Sequence, residues 1–145
     1  MPDQPMDVPA VLDGLNRVLE LQYRSVIQYT VVSGSVFGLE HQYLTDRLFS
    51  FAEEELADTR RIVEKINALG GEPSIKIEQP QLLPDVREAS EWLVKSETEI
   101  VELMKTIIPS TGQEGRSEAM EHLLEHLMLR KQEQIDFLIR ATRQP

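Results

Sequence analysis

The stretch FAEEELAD, Phe51–Asp58, decides how this chain is read. It lies in a segment whose apolar residues recur in steps of three and four: Leu48, Phe51, then Ile62, Ile66 and Leu69. That spacing predicts a helix with one buried stripe. The missing steps between Phe51 and Ile62 fall on Glu55 and Asp58. Two carboxylates therefore stand in the stripe, and a buried acid is costly unless a cation or hydrogen-bond donors meet it. Whether a metal or a side chain meets them determines what the protein does.

Working outward, this second helix is expected from about Glu40 to Leu69, stopped by Gly70-Gly71 and then Pro73. It carries a second apolar line, Phe49, Ala52, Leu56 and Val63. Upstream, residues 1–8 hold two of the eight prolines and read as a loose tail. Asp7 is the expected N-cap of a first helix, with Pro9 just inside it and Gly38 as its stop. Its seam is Leu15, Leu19, Gln22, Val26, Tyr29, Ser33 and Val36, with a polar Gln22 near the middle and further apolar residues, Tyr23, Ile27 and Val31, on another face. One bundle core does not absorb all these faces. An antiparallel homodimer through the first two helices is the expected consequence.

Downstream, residues 70–84 have no helical period. A helix of about 30 residues spans about 45 Å, and an extended run of about 14 residues covers the same distance. The connection is long enough to return along the bundle and set the second and third helices parallel. The third helix is expected from Asp85 to Pro109, with the seam Ser90, Val94, Glu97, Val101, Met104 and Ile108. Thr111–Glu114 resembles a capping box, though the fourth helix has an alternative start at Ser117. Its seam, Met120, Leu124, Leu127, Lys131, Gln134 and Leu138, has a lysine and a glutamine at its centre. The fold class expected is a single all-α domain over residues 1–145, an up-down-down-up four-helix bundle with a long crossover between the second and third helices. This arrangement is expected to bring Gln22, Glu55, Asp58, Lys131 and Gln134 together in one polar layer, with Val101 opposite.

At this depth the chain resembles a family. LNRVLELQYRSVIQY (Leu15–Tyr29), EEELADTRRIVEKINALGGEP (Glu53–Pro73) and KQEQIDFL (Lys131–Leu138) look like the first, second and fourth helices of bacterioferritins and related ferritin-like proteins. The resemblance implies iron storage, a ferroxidase di-iron centre and assembly into cages. Its ligand positions carry over poorly. The first-helix glutamate falls on Gln22, and the fourth-helix glutamate and histidine fall on Lys131 and Gln134. The bridging glutamate of the second helix matches Glu55, and its histidine falls on Asp58. The third-helix glutamate falls on Val101 or, one residue on, Glu102. The methionine that holds haem falls on Leu56, so haem is not expected, and the short C-terminus leaves no room for the fifth helix that helps close a large shell.

The substitutions have a chemical direction. Lys131 puts a cation where cations would bind, and it can meet Glu55 and Asp58 while Gln22 and Gln134 supply amide hydrogen bonds. The expectation is a non-catalytic structural, interaction or iron-related bundle without cofactor, with Glu55 and Asp58 as remnant metal positions. The alternative is an iron-binding or iron-storage protein, or ferroxidase, with a rearranged site drawing on Glu97 or Glu102. His122 and His126 also have helix-face chelating spacing, but lie off the core stripe.

Bulk properties exclude other classes. There is no cysteine, hence no disulfide and no thiolate metal site. A net charge of −10 opposes nucleic acid and anionic membrane as partners. No apolar run approaches the roughly 20 residues of a membrane span. MPDQPMDVP lacks the blocks of a signal peptide, which implies a cytoplasmic location. No nucleophile triad, phosphate loop or dinucleotide fingerprint is present.

Overall fold

The structure is a computed structural model that describes residues 4–143. Among these are four α-helices: α1 (Val8–Gly34), α2 (Gln42–Ala68), α3 (Val86–Ile107) and α4 (Ser117–Thr142). Local chemistry sets most of the ends. The Asp7 carboxylate accepts from the Ala10 amide at 3.2 Å, and Pro9 sits in the first turn, so α1 starts where its free amides find a partner. Asp85 does the same for α3, accepting from the Glu88 amide at 3.0 Å. At the end of α2, the Gly70 amide donates to Asn67 O and the Gly71 amide to Ile66 O, at 3.0 and 2.9 Å. Gly70 takes φ +83°, the left-handed turn that this paired closure requires.

Three readings differ from the sequence expectation, the first being that α1 ends at Gly34 instead of continuing to Gly38. Thr111 caps no helix: its hydroxyl donates back to Ile108 O at 2.8 Å inside a short 3-10 turn, Ile108–Thr111. The Glu114 carboxylate accepts instead from the Met6 amide at 3.2 Å, and α4 begins at Ser117. That contact also corrects the loose tail. Met6 is buried, the Asp7 amide donates to Ser110 O at 2.9 Å, and the Gln113 amide donates to Gln4 O at 2.6 Å. The segment before α1 is thus bound over the α3–α4 turn, while residues 1–3 of that expected tail lie outside the described residues.

The topology is up-down-down-up. α1 pairs with α2 and α3, and α3 with α4, whereas the backbones of α2 and α4 hardly approach each other. A groove of about 420 Å³ lies on that last seam, lined by Arg61, Lys65, Ala68, Ala119 and Leu123 among others. Between α2 and α3 the chain runs extended along α1. The Asn16 amide group donates to Glu72 O and accepts from the Ser74 amide, at 3.1 and 2.8 Å. Gln28 repeats the arrangement on Gln81, donating at 2.8 Å and accepting at 2.9 Å. Tyr23 donates to Ser74 O between them, at 2.8 Å.

The apolar core is in two parts. One, toward the N-terminus of α1, holds Leu15, Leu19, Ile62, Ile66, Ile100, Met104 and Leu124. The other holds Tyr29, Leu48, Phe51, Leu93 and Leu138. The buried residues between the two parts are polar on every helix, apart from Ile135 on α4.

Candidate functional site

Lys131 lies at the centre of that separating layer, with 2% of its surface exposed. Its Nζ donates to Glu55 Oε2 at 2.7 Å and also to Glu97 Oε2. Both carboxylates are fully buried. Gln22 Nε2 donates to the same Glu55 oxygen at 2.7 Å. Ser25 Oγ donates to Glu97 Oε1 at 2.5 Å. Glu97 therefore has both oxygens satisfied, whereas Glu55 Oε1 meets no donor, and neither does the neighbouring Gln22 Oε1. Thr59 closes the rim, donating to the Glu55 backbone carbonyl at 2.6 Å.

One lysine against two carboxylates leaves the layer a charge short. Burial pushes the Glu55 carboxyl up, Lys131 opposes this, and Glu97 reinforces it, so that Glu55 rises to about 7. Burial alone would pull the Lys131 ammonium down, but attraction and hydrogen bonds from Glu55 and Glu97 outweigh it and hold it above the ordinary lysine value. Uptake of a proton by Glu55 as pH falls through about 7 removes the excess negative charge beside the Lys131 ammonium. Tyr29 is buried beside it with its hydroxyl unpaired, and burial followed by the charges of Glu97, Glu55 and Glu54 drives its pKa well above the ordinary tyrosine value.

Of the five residues expected in the layer, Gln22, Glu55 and Lys131 come together. Asp58 does not hydrogen-bond Lys131. It is buried on the α4-facing flank of α2, where burial raises its carboxyl against the opposing charges of Arg130, His126, Lys131 and Arg61. Gln134 also points away, donating to Glu54 Oε2 at 3.1 Å. The acid from α3 is Glu97, one turn before the expected Val101; Val101 is half-buried and Glu102 is exposed. Glu97 carries a sequence signal, an acid in an apolar seam, and it is one of the two acids expected for a rearranged site. Ser25 and Thr59 carry no such signal. His122 is exposed and pairs with Glu118 at 3.8 Å, and His126 approaches Arg130 on its own helix.

The residues present do not fit the pair of irons that the resemblance implies. A protonated amine has no lone pair to offer, repels a divalent ion, and spans the two remaining carboxylates. Among the described residues, no three His, Asp or Glu side chains converge in a metal-holding group. Leu56, where the family's haem methionine would fall, has no donor atom and is exposed.

Comparison with solved structures agrees with this architecture. A ferritin-like, diiron-carboxylate protein from Bacillus anthracis strain Ames superposes with a TM-score of 0.84 at 26% identity, covering 94% of this chain and 98% of that one. The bacterioferritin of Rhodobacter capsulatus, solved with a metal-free dinuclear site and haem iron, gives 0.77 at 18% identity over 91% and 82% of the two chains, a likeness of fold alone. No curated protein matches by sequence. The ferritin-like domain model of the ferritin family matches residues 12–143, and the chain belongs to that family.

Proposed function

We propose that this protein is a ferritin-family bundle in which an internal ion pair has taken the place of the di-iron centre, and that it serves as a non-catalytic, dimeric structural or interaction module in the cytoplasm. The observation that supports this reading is the Lys131 ammonium, buried and bonded to Glu55 and Glu97 together. Glu55 and Asp58 are remnant metal positions in this view. The cation charge is now built into the chain, and the layer needs no external ion for neutrality.

Dimerisation is supported by apolar side chains that the single chain leaves outside. Val31 on α1, Phe49 and Leu56 on α2, and Ile75, Ile77 and Leu82 on the crossover are all exposed. Ala52 is spent in the core, so the α2 line is narrower than its sequence suggests. A second copy placed antiparallel on α1 and α2 covers this face.

Aerobic addition of ferrous iron tests the reading. The expected outcome is oxidation no faster than in protein-free buffer, and no iron retained after desalting. Rapid oxidation with iron retained, lost in Glu55→Ala, would instead establish a rearranged carboxylate site.

A further inference from the structure

Lys131 and Glu55 do more than attract each other in this arrangement. A primary amine stands 2.7 Å from one carboxyl oxygen and in contact with a second carboxylate, all three groups buried between apolar clusters. We propose that Lys131 and Glu55 condense into a side-chain amide, with Glu97 as the base, so that the layer becomes a covalent staple between α2 and α4. The bond presupposes the Lys131 bridge proposed above.

The hydrogen bonds assign the roles. Glu97 receives Ser25 on one oxygen and the Lys131 amine on the other, a geometry that places it to accept the amine's proton rather than to be attacked. Glu55 has one bare oxygen, Oε1, and one oxygen, Oε2, that receives Gln22 Nε2. In its neutral form Oε1 carries the hydroxyl and Oε2 is the carbonyl oxygen. The steps then balance. Glu97 takes one proton from the ammonium and frees the amine lone pair. Nζ attacks Glu55 Cδ, forming the C–N bond, and Gln22 Nε2–H stabilises the negative charge that grows on Oε2. The Cδ–Oε1 bond breaks, and Oε1 leaves as water with a second nitrogen proton. The products are one amide, one water and a neutral Glu97, with the total charge unchanged.

Two physical factors favour the reaction. The reactants are held in contact, which replaces a rare encounter by an intramolecular step. Burial also penalises the separated charges of the starting pair, whereas the product amide is neutral and water leaves for bulk solvent. The staple joins α2 to α4, whose backbones hardly approach each other, so the covalent link supplies a connection that close packing does not.

Intact-mass measurement of the purified full chain tests the proposal. The expected mass is lower than the sequence mass by one water. Tryptic mapping is expected to show no cleavage after Lys131 and one branched peptide carrying both Glu55 and Lys131. Mapping is essential, because Asp13-Gly14 can lose the same mass by cyclising. Glu97→Gln, shown to be helical by circular dichroism, is expected to keep its full mass. A native chain of full sequence mass, cut normally after Lys131, overturns the staple; so does a water loss that maps to Asp13. If that chain also fails to oxidise or retain ferrous iron, the ion-pair reading survives while the staple does not; retained iron ends both.

Discussion

Lys131 is the residue on which the interior charge balance turns. Removing its amine leaves Glu55 and Glu97 facing each other without a cation. Lys131→Met is expected to destabilise the protein by about 3–5 kcal/mol, the range for breaking a buried pair by deleting one partner; urea denaturation at neutral pH measures it, and an unchanged midpoint contradicts it. Glu55 adds a pH dependence. Its folded-state pKa, about 7, lies above its unfolded value, so the folded chain holds a proton that the unfolded chain has released. Its stabilising contribution is complete below the ordinary glutamate range and is lost as pH rises through about 7, at about 1.4 kcal/mol per pH unit. In the unlinked chain, the urea midpoint is expected to fall across that window, and Glu55→Gln to flatten the slope. Large polar residues such as Gln22, Glu55 and Lys131 were legible in the sequence because they interrupt an apolar period. Ser25 and Thr59 were not, since small hydroxyl residues sit in apolar stripes without cost by bonding their own helix. Asp58 shows the opposite failure: a position on the stripe does not fix which neighbour a short side chain meets.

At the scale of elements, the crossover is the part whose conformation owes least to its own sequence period. It is fixed from outside, by Asn16 and Gln28, which act as surrogate backbone partners at its two ends. Gln28→Ala leaves the amide and carbonyl of Gln81 without these bonds, a loss on the order of 1–3 kcal/mol for that segment. Hydrogen exchange is expected to accelerate around Gln81 with α2 and α3 unchanged, and uniform protection would count against this role. The length of the connection was readable from residues 70–84, because only an extended path returns along a helix of that size. Its anchors were not, because a glutamine on a helix face has no pattern that tells a loop clamp from a solvated side chain. The same limit applies to Met6 and Glu114, 108 residues apart, whose contact arises only when the bundle closes.

For the whole molecule, the arrangement of four helices was the most legible feature, since helix period, glycine stops and loop length all pointed to one topology. The proposed dimer rests on an excess of apolar surface that the single chain leaves uncovered. Leu56 is 60% exposed in the single chain, in the middle of the expected interface. Leu56→Glu places two charges face to face across an antiparallel pair, and light scattering is expected to show a monomer with unchanged helicity. A dimer that persists would put the interface elsewhere. The seam between α2 and α4 has a further consequence. There the two halves of the chain, α1–α2 and α3–α4, are held by long side chains rather than by close backbone packing. Under mechanical load this seam is where side-chain bonds, Lys131 foremost, carry the force in place of packed backbones, as a pin carries a clasp.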